Sequence, residues 1–236
     1  MAQQMCDWPS TGGVSLHLRQ HTRPARRAQI DLQNRRVALP VVCSEAKKAA
    51  KHVRLESRAQ ACFAEHLHTQ RSTNNGEAAA HILQQAATSK NVPPYLTLGA
   101  ALCLEQNWGS NTDTLAELHG RWRMVFASTT GATLFWYLPV KEYKDIDTKT
   151  KTCDLVTYLG PLKTSFSGAY SASSSQEMRF KFTTLVISAF DRTLLERPIS
   201  LAEKHYTYYW LQDNLACARS SGGGIVLLNR TAPLQV

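Results

Sequence analysis

The sequence has no run of the roughly 18 to 20 apolar residues that a membrane-crossing helix needs. Its best candidate, residues 96–104, is short and interrupted by Thr97 and Gly99. Acidic residues are scarce as well: 18 Asp+Glu stand against 27 Lys+Arg in 236 residues, a formal net charge of +9. The 12 Gly and 9 Pro are too few for collagen or a low-complexity chain, and 43% hydrophobic residues is enough for a real core. The six Cys show neither paired metal-ligand spacing nor a thioredoxin-like motif, so Cys62, Cys103, Cys153 and Cys217 read as free thiols. His66 and His68 lie two apart on a helical stretch, point to different faces and make no metal site. Ser220-Ser221-Gly222-Gly223-Gly224 precedes a strand-like run and carries no Lys, which makes it a hairpin turn and not a phosphate loop. Nothing in these patterns implies a cofactor.

What is present is unevenly distributed. Residues 1–44 carry six Arg (19, 23, 26, 27, 35 and 36) against Asp7 and Asp31, with no Lys and no apolar stretch behind Met1. A secretory signal would need such a stretch, whereas organelle transit peptides are Arg-rich and acid-poor. Val41-Val42-Cys43-Ser44 resembles the short motif at which plastid transit peptides are cut, so residues 1–44 are expected to be a cleaved transit peptide. The alternative is a basic arm kept in the mature protein. Residues 45–60 add Lys47, Lys48, Lys51, Arg54 and Arg58 against Glu45 and Glu56, and the remaining 176 residues are nearly neutral. The basic balance is therefore mostly an address, and no nucleic-acid partner is expected. The cations of residues 45–60 form either a solvated helix face or a contact with an anionic membrane surface.

Spacing predicts a helical arm over residues 45–112. Its helices cover residues 45–70, 77–89 and about 95–106, the last stopped by Asn107-Trp108-Gly109. After Gly120 the apolar period changes to two, the signature of strands buried on one face. Runs at about 120–128, 134–138, 141–147, 153–159, 163–170, 177–190, 205–212, 215–219 and 225–230 are separated by short turns. Glu196-Arg197-Pro198 and Asp213-Asn214 are among those turns. Short connections mean antiparallel pairing. The fold class expected is mainly β, an eight- or nine-stranded antiparallel barrel over residues 113–236 preceded by the helical segment. Alternation places an aromatic face inside it. Met178, Phe180, Phe182, Val186 and Phe190 oppose Glu177, Arg179 and Lys181, and Tyr206, Tyr208 and Trp210 form a second set. The interior candidates for an apolar ligand are Trp122, Phe126, Phe135, Tyr137, Phe180, Phe182, Tyr208 and Trp210, each of which could equally be packing alone.

Gly120-Arg121-Trp122 opens the first strand and Arg230 falls in the last. In lipocalins a Gly-x-Trp begins the first strand and an Arg near the end packs over that Trp, a cation–π contact worth roughly 0.5 to 2 kcal/mol. A helix ending Cys103-Leu104-Glu105-Gln106-Asn107, then Leu118-His119-Gly120-Arg121-Trp122 running into Phe126-Ala127-Ser128, resembles the plastid fibrillins, also called plastid lipid-associated proteins. So does Leu211-Gln212-Asp213-Asn214-Leu215-Ala216-Cys217-Ala218-Arg219 near the C-terminus, with Asp213 and Arg219 in the family's places. The resemblance spans about residues 77–230. Ala216 stands where the family usually has Arg, and Ser220-Ser221 replaces Gly-Asp, which marks a divergent member. The resemblance implies a non-enzymatic, lipocalin-like domain that binds prenylquinones, carotenoids or fatty acids at thylakoids or plastoglobules. Gly120, Trp122, Asp213, Arg219 and Arg230 would be its structural motif residues. Two other classes stay open: a plastid interaction or assembly factor using the arm and the barrel surface, and an enzyme acting on a lipid or isoprenoid. The last would need ionisable groups pointing inward.

Overall fold

A computed structural model describes residues 27–70, 74–107, 114–128, 136–190 and 192–232, with side-chain surroundings from residue 47 onward. Residues 1–26, at the start of the expected transit peptide, and the candidate Phe135 lie outside the described residues. The chain divides into two compact units, Met1–Ser44 and Glu45–Val236. Helix α1 covers Arg27–Gln70, beginning earlier than the expected residue 45. The Ala, Leu, Gln and Arg that precede residue 45 are themselves good helix formers, so a transit-like composition and a helix coincide there.

In the second unit, α1 is followed by α2 (Asn75–Ser89), α3 (Pro94–Asn107) and the single turn α4 (Thr114–Glu117). The start of α2 is set by Asn74, whose side chain accepts hydrogen bonds from the Gly76 and Glu77 amides at 3.1 and 3.3 Å. Its end is set by Lys90 in the left-handed region, φ 56°. Nine strands come next: β1 (Gly120–Ala127), β2 (Tyr137–Asp147), β3 (Thr152–Leu159), β4 (Leu162–Ala172), β5 (Glu177–Ala189), β6 (Arg192–Pro198), β7 (Lys204–Gln212), β8 (Leu215–Ser220) and β9 (Ile225–Ala232). All pairings are antiparallel, in the order β4-β3-β2-β1-β9-β8-β7-β5-β6. A further pairing of β4 with β5 closes eight of the strands into a ring. β6 pairs with β5 alone and lies at the edge. It takes in Glu196-Arg197-Pro198, which the sequence reading assigned to a turn. Pro at its last position leaves the ladder intact.

The ring closes where β4 and β5 approach closely. A Cβ added at Gly168 would lie 2.0 Å from the Lys181 carbonyl oxygen, so only glycine fits this crossing. Gly99 on α3 plays the same part against α1, where a Cβ would meet the Ala59 carbonyl oxygen at 2.3 Å and the Phe63 Cβ at 2.6 Å.

Two separate cores result. One joins α1, α2 and α3 to one face of β1, β7, β8 and β9 through Ala59, Phe63, Leu83, Leu98, Leu104, Phe126, Trp210, Cys217 and Leu227. The other draws residues from all eight ring strands and none from α1–α3, so it is the enclosed face of the ring. It contains Trp122 and Met124, Ile146, Cys153, Tyr170, Met178 to Phe182 on alternate positions, Tyr208, Ala218 and Leu228, with Leu115 and Leu118 covering one end.

Candidate functional site

Period-two reasoning fails at three places, each time because one extra residue is inserted into a strand. In β1, Met124 faces Leu228 and Phe126 faces Leu227, two steps along one strand against one along the other. Trp122 and Met124 therefore point into the ring while Phe126 points to the helices. In β7, Tyr208 faces Ala218 and Trp210 faces Cys217, so Tyr208 is inside and Trp210 outside. In β5, Phe182 pairs with Gly168 and Thr184 with Ser167, so Leu185 takes the inner parity in place of Val186, and Phe190 is 80% exposed.

Of the interior candidates, Trp122, Phe180, Phe182 and Tyr208 are thus brought together, whereas Phe126, Tyr137 and Trp210 are placed in the helix-side core. Tyr137 has a visible purpose there. Its hydroxyl donates to the Val92 carbonyl at 2.7 Å and lies 2.8 Å from the Thr97 hydroxyl, fixing the start of α3 on the sheet.

The motif residues hold the frame of the ring. The Arg230 guanidinium lies 4.5 Å from the centre of the Trp122 ring and donates to the Glu117 carbonyl, while the Trp122 indole donates to the Leu118 carbonyl at 2.8 Å. Together they tie β1, β9 and α4 over one end of the ring. Asp213, in the left-handed region at φ 52°, forms with Asn214 the two-residue turn between β7 and β8. Arg219 is the junction between sheet and helices. It forks onto both carboxylate oxygens of Glu105 on α3 and donates to Glu56 on α1 at 2.9 Å and to the Gly223 carbonyl at 2.7 Å. The hydrogen bonds it donates to the carboxylates, those to Glu105 above all, hold its pKa above the ordinary range.

The residue that sequence reasoning missed is Lys144 on β2. It is 2% exposed and lies between the cross-strand partners Trp122 and Leu155 on the inner face. Its ammonium sits 3.9 Å from the centre of the Tyr206 ring, 4.4 Å from Phe180 and 5.6 Å from Tyr208, and donates to the Tyr208 hydroxyl at 3.0 Å. The three rings form a ladder with Phe182 and Phe166, centroids 5.3 to 6.2 Å apart. Among the described residues Lys144 is the one buried lysine or arginine, and it forms no salt bridge. Burial raises the pKa of the Tyr206 and Tyr208 phenols and of the Cys153 thiol, which keeps these neighbours neutral at physiological pH. A buried ammonium without a counter-charge costs several kcal/mol, of which each cation–π contact returns about 0.5 to 2. Glu142, two residues back on the same strand face, also feels burial, which pushes its carboxyl above the usual range. Spacing alone gives no signal of this: the charges of Glu142 and Lys144 mark an outward face, and only the pairing of Lys144 with Trp122 turns that face inward.

Outside the ring, a cleft of about 600 Å³ lies between α2 and the β7–β8 turn, with Glu77, His81, Gln84, Gln212 and Asp213 on its walls. Among the described residues no group of three or more His, Cys, Asp or Glu side chains is placed to hold a metal, and no helix is long and apolar enough to cross a membrane. The cations Lys47, Lys48, Lys51, Arg54 and Arg58 are exposed along α1.

No protein-family model matches the chain, and no curated protein matches it. The likeness to plastid fibrillins rests on the residues quoted from the sequence.

Proposed function

We propose that the closed sheet is a lipocalin-like barrel and that the protein is a non-enzymatic plastid lipid-associated protein of the fibrillin type. It binds or carries a small apolar metabolite, a prenylquinone, a carotenoid or a fatty acid, at the thylakoid or plastoglobule. The observation that carries this reading is the enclosed face. All eight ring strands contribute apolar or aromatic side chains to it, and its aromatic ladder is separate from the core that docks the helices. The Trp122–Arg230 contact and the Arg219 contact with Glu105, both at motif residues, support this reading. Small-molecule sites are typically apolar with a few convergent polar groups, and the ring interior has that make-up.

Extracting the purified full chain with organic solvent and identifying the extract by mass spectrometry tests the proposal. A stoichiometric isoprenoid or acyl lipid is the expected result, and a clean extract counts against it. One observation favours a second reading, the plastid assembly factor. β6 is exposed along its whole length, and Phe190, Leu194 and Leu195 on the same hairpin are 80%, 65% and 42% exposed. Exposed apolar edge strands are natural pairing surfaces for another chain.

A further inference from the structure

We propose that Lys144 is the head-group site of the ring interior and that the ligand is an amphiphile ending in a single carboxylate. This rests on the carrier reading and adds the class of ligand. Lysines ordinarily extend their ammonium to water, yet here it is drawn into an aromatic interior and anchored by the Tyr208 hydroxyl at 3.0 Å.

The charge count selects the partner. Among the described residues no carboxylate is in salt-bridge contact with Lys144; Glu142 shares its strand face, where burial works against its charged form, so a ligand monoanion would supply the contact partner that the ammonium lacks. A phosphate head would bring up to two negative charges and calls for an arginine fork or a second cation. Arg123 does not supply it. It follows Trp122 in strand alternation, points away from the ring and lies near Lys90 at the end of α2. The neutral phenols of Tyr206 and Tyr208 flank the ammonium and have hydroxyl donors for a second carboxylate oxygen. Phe180, Phe182 and Phe166 continue from it as an apolar ladder of the kind an acyl or isoprenoid chain would lie against. Cys153 and Ile146 line the same interior and add no charge, the Cys153 thiol being held protonated by burial.

The test compares oleic acid with oleyl alcohol, equal in chain and different in head group, for binding to the full chain at pH 7.5 by calorimetry. The acid is expected to bind at least about tenfold more tightly, the value of one charge-assisted hydrogen-bonded pair. In Lys144→Met that preference should disappear while alcohol binding stays within about threefold. Circular dichroism verifies that the variant folds. If it does not, Tyr208→Phe keeps the lysine and removes its anchor, and the acid preference should fall by about threefold or more. Equal binding of acid and alcohol by the unaltered chain overturns the head-group site and leaves the carrier reading standing. Binding of neither overturns the head-group site, and together with a clean solvent extract it overturns the carrier reading as well.

Discussion

The two faces of the sheet are made from the same strands but not to the same purpose. The helix-side core is small and aliphatic where the helices meet, with Ala59, Ala79, Ala86, Ala100 and Ala101 allowing close approach. It too encloses tyrosine hydroxyls and a thiol, at Tyr137, Tyr209 and Cys217, but its charged contacts sit at the margin, where Arg219 spans α1, α3 and β8. The ring interior is aromatic, and it encloses a lysine, tyrosine hydroxyls and a thiol. A core selected only for packing has no need of a buried ammonium, because replacing buried charge by apolar side chains is often neutral or stabilising. The difference between the faces is therefore the buried charge, which is what the proposed ligand role of the ring interior rests on.

The sharpest way to break the comparison is steric. Gly168→Ala should unseat β4 from β5 and cost about 3 kcal/mol or more in urea unfolding, because the clash is with backbone. Gly99→Ala should cost about 1 to 3 kcal/mol and leave the ring intact, so amide exchange would accelerate in α1 and α3 but not in β4. Arg219→Ala should follow, at about 2 to 4 kcal/mol, since it leaves Glu105 and Glu56 without their shared partner.

The next effect depends on pH and belongs to the ring. Burial raises the Glu142 carboxyl pKa in the folded chain, so its contribution is complete when it is protonated and is lost as pH rises through that folded value. Glu142→Gln should therefore stabilise the protein at pH 7, and the gain should vanish below about pH 4, the ordinary carboxylate range. Thermal melts of both proteins across that window measure it. The smallest effect is outside both cores. Arg121 donates to both Asp145 oxygens at 2.8 and 2.7 Å on the outer surface, and Asp145→Asn should cost less than about 1 kcal/mol and weaken further in salt.

Most of the architecture was legible from spacing and turns. The ends of α2 and α3, the hairpin at Asp213-Asn214 and the antiparallel pairing follow from local rules, whereas the start of α1 and the strand β6 do not. What was not legible depends on partner strands. An inserted residue such as Val125 or Tyr209 is visible only once the opposing strand is known, and each reverses the parity of every residue after it in its strand. That is why Phe126 and Trp210, which alternate with Trp122 and Tyr208, lie on the other face. β2 joins what spacing divides into two runs, about 134–138 and 141–147, and its pairing with β1 jumps from Glu142 to Tyr137 between Met124 and Phe126. Lys144 escaped notice because a charged residue in a strand is ordinarily assigned to water, and only ring closure puts its face inside.

On the proposed reading the ring interior, and not the helix-side core, receives the apolar ligand. Tryptophan quenching by dibrominated stearic acid tests it directly, because Trp122 lies on the inner face and Trp210 on the outer. Quenching in the full chain should persist in Trp210→Phe and largely disappear in Trp122→Phe. Quenching that survives loss of Trp122 and disappears with Trp210 would contradict the account, as would no quenching in the unaltered chain.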